Sequence, residues 1–425
     1  MKQYLWNNNR FLAWHPNKWD ILMLLIILGV IFFLAWGAGQ MNTPYQIGQQ
    51  ITISLSIKSL IIYSCRSIVR VFLAMFCSCI FALIFGTLAA KNKHIARILI
   101  PTVDILQSIP ILGFLSLTIS MFISLFKGSF LGPEMAAIFV IITSQVWNML
   151  LDVYQSIRMI PKNLIEVSEI LRLSAWQRFW RLELPFATPS FIWNIMLSMS
   201  ASWFFVVACE AITVNKQTIF LPGIGSYIYI AIQNSNKIAI YFAVISMFII
   251  IFLYDQLLFR PLLYWSQKFQ IDNNIEQDQK KLIPWLVLLL QKTRLFHYFG
   301  VLFYILFQFV INAKIFNNKK YKTYSKSFNN SNIQVAAIGF WYIFISIICV
   351  VFFLFLVQFI FKQLNFNEAI HVIILGSFTF LRIFILLILS SIIWIPIGVA
   401  IGLNPFLLKW GQPIVQILAA FPANI

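Results

Sequence analysis

The amino-acid sequence predicts an all-α protein that crosses a membrane several times, and three observations carry that prediction. Hydrophobic residues fill 60% of the 425 positions and aromatics 17%, a usage outside that of water-soluble domains. Apolar runs such as Ile21 to Ala38, Phe72 to Ala90 and Val335 to Phe361 reach or approach the roughly 20 residues a helix needs to cross about 30 Å of hydrocarbon. These runs are apolar throughout, whereas the strands of a membrane barrel alternate between apolar and polar residues.

The charge pattern then places the elements in order. A formal net charge of +18 would point to nucleic acid on a soluble surface. Here the basic residues lie in short loops between apolar runs, where they attract lipid headgroups and fix topology, so no nucleic-acid partner is expected. From a cytoplasmic N-terminus carrying Lys2, Arg10 and Lys18, crossings are predicted near 21–38, 67–90, 98–125, 133–151, 187–212 and 238–263. Lys91, Lys93 and Arg97 follow the second crossing and Arg158, Lys162, Arg172, Arg178 and Arg181 the fourth. Arg260, Lys268, Lys280 and Lys281 follow the sixth, so all three loops fall on the cytoplasmic side. Loop 213–237, with Pro222, Gly223, Gly225 and two lysines, fits the outer face. Met1 to Asp20 is polar and no small-residue cleavage site follows the first run, which reads as a retained helix. Within 264–334, the runs Ile283 to Leu290 and His297 to Ile315 are expected to lie on or dip into the cytoplasmic interface, followed by a polar basic loop, NNKKYKTYSKSFNNSN.

The residue types exclude several chemistries. Cys65, Cys77, Cys79, Cys209 and Cys349 lack metal-ligand spacing and read as small apolar packing residues. The four histidines form no HExxH or similar pair, so no metal site is expected. No clustered nucleophile, base or metal set suggests a membrane-embedded enzyme. A G-x-x-x-x-G-K-[ST] phosphate loop is absent from the sequence, so no cofactor is expected in this chain and any ATP must be bound by a partner.

An internal repeat organises the rest. RVFLAMFCSCIFALIFGTLAAKNKHIARILIPTVDILQSIP aligns without a gap to RIFILLILSSIIWIPIGVAIGLNPFLLKWGQPIVQILAAFP, matching Arg70 with Arg382, Gly86 with Gly398, Asn92 with Asn404, Pro101 with Pro413 and Pro110 with Pro422. Glycine, proline, asparagine and arginine do not substitute casually for leucine, so the constant spacing of 312 reads as a tandem duplication whose second copy is incomplete at Ile425.

The densest mixed-charge stretch, EVSEILRLSAWQRFWRLELP over Glu166 to Pro185, carries three arginines and three glutamates between two apolar runs. Apolar residues recur at helical spacing twice, at Leu164, Val167, Ile170 and Leu171, then at Trp176, Phe179, Trp180 and Leu182. Two short helices are predicted, the first opened by Pro161, the second started by a Ser174–Gln177 capping box and ended by Pro185. Helices this short need a partner surface. On the residues alone, an amphipathic turn with snorkelling arginines fits as well.

This stretch resembles the EAA signature of permease subunits of binding-protein-dependent ABC transporters. Glu166, Val167 and Ser168 stand at Glu-Ala-Ala, Arg172 at the family's glycine, and Leu182, Leu184 and Pro185 at the hydrophobic-x-Leu-Pro ending. The flanks PTVDILQSIPILGFL, PSFIWNIMLSMSASWFFVVACEAI and LPGIGSYI are similar to the nitrate, sulfonate and taurine branch, especially its duplicated form. The resemblance implies a type I importer helix bundle in a bacterial inner membrane. It implies cytoplasmic ABC ATPase subunits and a periplasmic or lipid-anchored substrate-binding protein as partners, alternating access as the mechanism, and a small anion as substrate. The chain divides accordingly into 1–66, a permease core at 67–270 with its coupling loop at 152–186, a basic linker at 271–334, and an incomplete second permease repeat at 335–425. The coupling residues are Glu166, Val167, Ser168, Arg172, Ser174, Trp176, Phe179, Leu184 and Pro185. A glycine there would permit a left-handed turn between the helices, so Arg172 must adopt an ordinary backbone or accept strain.

Polar residues in the apolar runs are candidates for the path, since they are costly in lipid. Asp104, Gln107 and Ser108 can share one helix face, with helix–helix hydrogen bonding as the plainer reading. Glu210 suits a structural bond better than an anion ligand, and Arg70 and Arg382 suit headgroup contact near helix ends better than anion attraction. An ion-gradient-driven secondary transporter is the alternative, and it would show inverted repeats or paired broken helices.

Overall fold

The computed structural model describes residues 52–214, 217–269, 284–312 and 366–404 continuously, with scattered helical positions within 20–39, 339–358 and 406–419. The expected first crossing at 21–38, the run 335–361, the polar loop at 317–332 and Pro422 lie largely or wholly outside the described residues. The chain divides into two units, Met1–Asn318 with Ile414–Ile425, and Lys319–Pro413. Five helical stretches among the described residues are long and apolar enough to cross a bilayer, Ile57–Lys91, Leu131–Arg158, Ala175–Glu210, Lys237–Phe269 and Ile370–Leu403. The chain is an all-α, multi-pass membrane protein.

In the first unit α1 (Ile57–Lys91) packs along α4 (Leu131–Arg158), and α4 packs along α7 (Leu184–Glu210). The approach of α1 to α4 needs Gly86, because a Cβ there would lie 2.9 Å from the Leu150 carbonyl and from Val153 Cβ. A core of Val71, Ala74, Ile141, Met199, Trp203, Tyr227 and Met247 joins α1, α4 and α7 to α8 (Ile224–Gln233) and α9 (Lys237–Tyr254). Trp203 stacks on Tyr254 with ring centroids 6.2 Å apart, and burying a ring of that size contributes about 2–3 kcal/mol.

The crossing expected at 98–125 is two helices, α2 (Lys93–Ser108) and α3 (Ile111–Leu125). Pro110 is the cause: its ring clashes with a helical residue before it, and Ile109 is accordingly extended, at φ −74° and ψ 126°. Pro101 is accommodated inside α2. At the opposite end from Lys91, a hairpin of β1 (Ala211–Val214) and β2 (Gln217–Phe220), paired Ala211 to Phe220, leads into α8.

Pro185 does not end the second coupling helix. The four-residue α6 (Ala175–Arg178), a π turn at Phe179–Glu183 and α7 form one continuous helical stretch, Ala175–Glu210. Pro185 has no N–H to give to the preceding turn, and the helix widens ahead of it so that the Leu184 N–H reaches the Phe179 carbonyl. The same device precedes Pro261, where the π turn Asp255–Phe259 joins α9 to α10 (Arg260–Ser266). Two further helices, α11 (Trp285–Lys292) and α12 (Arg294–Asn312), occupy the linker.

The second unit contains α13 (Phe366–Leu403). Its last residue falls 312 positions beyond Lys91, the end of α1. Asn404 then accepts the Phe406 N–H at 3.0 Å, as Asn92 accepts the His94 N–H at 2.9 Å.

Candidate functional site

The loop between α4 and α7 is built by two sequence-coded caps. The first closes α5 (Lys162–Ile170), which Pro161 precedes. The Leu173 N–H reaches the Ser168 carbonyl at 3.1 Å and the Arg172 N–H reaches the Glu169 carbonyl at 2.9 Å, the paired bonds of a Schellman C-cap. That cap requires a left-handed residue at Arg172, whose φ is +51°. Arg172 therefore accepts strain, costing roughly 1–2 kcal/mol that a glycine would avoid. The second cap is the Ser174–Gln177 capping box: the Gln177 N–H donates to Ser174 Oγ at 3.2 Å, and the Ser174 N–H to Gln177 Oε1 at 3.1 Å.

The two helices present different faces. On α5 and its cap, Glu166 and Arg172 are exposed, and Val167, Ile170 and Leu171 form an open apolar patch at 49%, 78% and 65% exposure, with Met159 nearby in sequence and also exposed. Ser168 is buried and its hydroxyl donates back to the Ile165 carbonyl. Trp176 and Phe179, by contrast, turn into an aromatic group with Trp180. The Lys91 ammonium lies 5.5 Å over the Phe179 ring, and Leu184 and Pro185 are half-buried. Glu183, a residue that sequence reasoning passed over, ties the loop to α1: it is buried and pairs with Lys91 Nζ at 2.7 Å and Arg178 Nε at 3.0 Å. Asp152 accepts from the Ser190 hydroxyl, joining α4 to α7 just inside the loop.

Toward the hairpin end lies a buried charge cluster. Arg70 is not a headgroup-facing residue. It is fully buried and holds Glu134 in a two-point contact, Nε to Oε2 at 2.5 Å and Nη2 to Oε1 at 2.7 Å. Arg70 Nη1 binds Glu210 Oε1 at 2.7 Å, and Nη2 also donates to the Pro222 carbonyl at 3.1 Å. Glu210 is further held by the Ser67 hydroxyl at 2.5 Å and by the Gly225 N–H at 2.6 Å, in the first turn of α8, where a negative charge is favoured. The short sequence LPGIG is thereby explained. A Cβ on Gly223 would fall 2.1 Å from the Glu210 carboxyl carbon, and one on Gly225 2.3 Å from the Val207 carbonyl. Glu134, unmarked in the sequence reading, is the missing partner; an acid in the first turn of an apolar helix was its one signal.

Asp104, Gln107 and Ser108 gather at the end of α2, just before the break at Ile109 and Pro110, and all are exposed. Gln107 donates to Asp104 Oδ1 at 3.2 Å and the Ser108 hydroxyl to the Asp104 carbonyl at 2.7 Å. These bonds stay within α2, and the three residues lie on its exposed side. Glu210, sealed against Arg70, does not join them. No group of three or more histidine, cysteine or acidic residues that could hold a metal occurs among the described residues.

Comparison with known proteins finds a family match inside this bundle. Residues 82–259 match the family described as binding-protein-dependent transport system inner membrane component. The chain is 26% identical over 188 residues to the bicarbonate transport system permease protein CmpB of Synechococcus elongatus, covering 44% of this chain and 63% of the relative. It is 24% identical over 179 residues to the nitrate import permease protein NrtB of Leptolyngbya laminosa, covering 42% and 59%. It is 25% identical over 258 residues to the putative aliphatic sulfonates transport permease protein SsuC of Bacillus subtilis, covering 59% and 88%. The domain therefore groups with the nitrate, bicarbonate and sulfonate permeases, and the chain spans 63% and 59% of the length of the first two.

Proposed function

We propose that this chain is the transmembrane subunit of an ATP-driven importer in a bacterial inner membrane, carrying a small anion by alternating access. It works with a separate cytoplasmic ATPase and a separate substrate-binding protein. The observation that carries this reading is the open patch of Val167, Ile170 and Leu171 on a loop that is otherwise closed by caps, aromatic contacts and ion pairs. A stiff loop with one bare apolar face can transmit a push from a docked protein into α4 and α7, the two helices it joins. The loop lies at the Lys91 end, and the basic residues there support a cytoplasmic position for it and for the N-terminus. Asp104, Gln107 and Ser108 at the break between α2 and α3 are assigned to the path. A discontinuous crossing exposes backbone and polar side chains at membrane depth only where a cavity receives them.

The relatives' names give bicarbonate, nitrate and aliphatic sulfonates as the cargo of those proteins, and a small anion is proposed here on that similarity. The test is capture of the ATP-binding subunit co-expressed with this chain. Ile170→Asp combined with Val167→Asp is expected to abolish co-purification while leaving the yield and dispersity of the permease unchanged. Retained co-purification would overturn the assignment of this face.

A further inference from the structure

The linker helix α12 lies against the Trp176–Arg181 turn of the coupling loop. Five contacts join them. The Phe307 ring meets the Trp180 ring edge to face at 5.2 Å and 87°. The Trp176 indole N–H donates to the Val310 carbonyl at 3.3 Å, and the Gln177 amide to Asn312 Oδ1 at 3.3 Å. Arg181 donates to Asn312 Oδ1 at 3.1 Å and Gln308 Oε1 at 3.5 Å. Phe307, Gln308, Ile311 and Asn312 recur at helical spacing, and Ile311 is fully buried. Around the helix from them, Leu306, Phe309 and Val310 recur at i, i+3 and i+4 and are 56%, 75% and 46% exposed.

A helix of 19 residues with one face committed to the loop and aromatic and aliphatic side chains exposed on another does not leave that second face in water. The sequence supplies the complementary charge: Lys292 and Arg294 precede or open α12, and Lys314, Lys319, Lys320 and Lys322 follow it. Clustered basic residues beside an apolar helical face attract anionic headgroups. Resting on the proposed cytoplasmic position of the loop, we infer that α12 lies in the inner-leaflet headgroup region, with Leu306 and Phe309 in lipid, and braces the Trp176–Arg181 turn. Phe307, Gln308 and Asn312 are thus positioning residues. They hold the loop against the bilayer surface, so that a push on α5 moves α4 and α7 instead of rotating the loop.

The test uses the full chain in vesicles of phosphatidylethanolamine and phosphatidylglycerol, with its native cysteines replaced. Gln177→Cys with Asn312→Cys is expected to form an intrachain disulfide on mild oxidation, read as the linked peptide pair by mass spectrometry. A nitroxide on Phe309→Cys is expected to relax faster with oxygen than with a water-soluble nickel chelate. No linked pair, or a nitroxide relaxed mainly by nickel, overturns the inference. With the ATPase bound, Phe307→Ala is expected to leave capture unchanged and lower permease-stimulated ATP hydrolysis several-fold, with Phe307→Leu restoring it. Unchanged hydrolysis in Phe307→Ala overturns the bracing role. If the unsubstituted chain captures no ATPase, the proposed function fails, while the disulfide and nitroxide still decide where α12 lies.

Discussion

Arg70→Met is expected to destabilise the first unit by about 3–5 kcal/mol, the cost of leaving buried charge uncompensated. The magnitude follows from the cluster. Arg70 is 0% exposed and directs four donor contacts at three groups, Glu134, Glu210 and the Pro222 carbonyl. Methionine fills a similar volume but takes away both donors that hold Glu134 and leaves Glu210 with the Ser67 hydroxyl and the Gly225 N–H. Glu134→Gln removes one carboxylate and leaves a one-to-one Arg70–Glu210 pair, so its loss should be smaller, about 1.5–3 kcal/mol, the value of hydrogen bonds to a charged group. Arg70→Met with Glu134→Gln and Glu210→Gln has no buried charge, and should recover most of the single variant's loss. Denaturant unfolding in mixed micelles, followed by tryptophan fluorescence, measures all three against the unsubstituted chain. A loss under about 1 kcal/mol for Arg70→Met, or a triple variant no more stable than the single, would refute the electrostatic account and leave only packing.

Arg172→Gly should stabilise α5 by roughly 0.5–1 kcal/mol, the left-handed penalty less glycine's unfolded-state entropy, read as slower amide exchange at Leu173, whose N–H bonds the Ser168 carbonyl. Gly225→Ala should cost about 1–3 kcal/mol of overpacking, since its Cβ would lie 2.3 Å from the Val207 carbonyl. Its unfolding midpoint should fall, and an unchanged midpoint would mean that α8 shifts away from α7 freely. Arg382→Met should leave the unfolding of the first unit unchanged, because Arg382 is exposed and has no carboxylate partner among the described residues. A loss like that of Arg70→Met would show that it is paired.

The sequence was most legible where one residue type fixes a local geometry. The Ser174–Gln177 capping box formed as spelled, because both bonds close within a single turn. The expected crossings at 67–90, 133–151, 187–212 and 238–263 coincide with helices long and apolar enough to span, because length and hydropathy alone decide that. Proline was harder to read. Pro110 breaks a crossing, Pro101 sits inside a helix, and Pro185 and Pro261 are absorbed by π turns, so the same residue gave three outcomes set by what the neighbouring backbone can widen or release. Arg172 was undecidable from its side chain, since the left-handed φ is imposed by the two cap bonds around it.

Long-range electrostatics were illegible for a different reason. Arg70 and Glu134 are 64 positions apart, Arg70 and Glu210 140, and no local pattern links residues at such separations. An arginine in an apolar run therefore reads as a headgroup contact until the helix packing around it is known. Two segments of similar sequence make the point within one chain. Arg70 and Gly86 match Arg382 and Gly398, yet Gly86 touches α4 while a Cβ on Gly398 would meet nothing within 4 Å. Residues with the same spacing on similar helices thus differ in energy by several kcal/mol according to what covers them. What the two matched segments share is residue type and spacing; the interface is a property of the neighbours, α4, α7 and α8, which bring Glu134, Glu210 and the Pro222 carbonyl to Arg70.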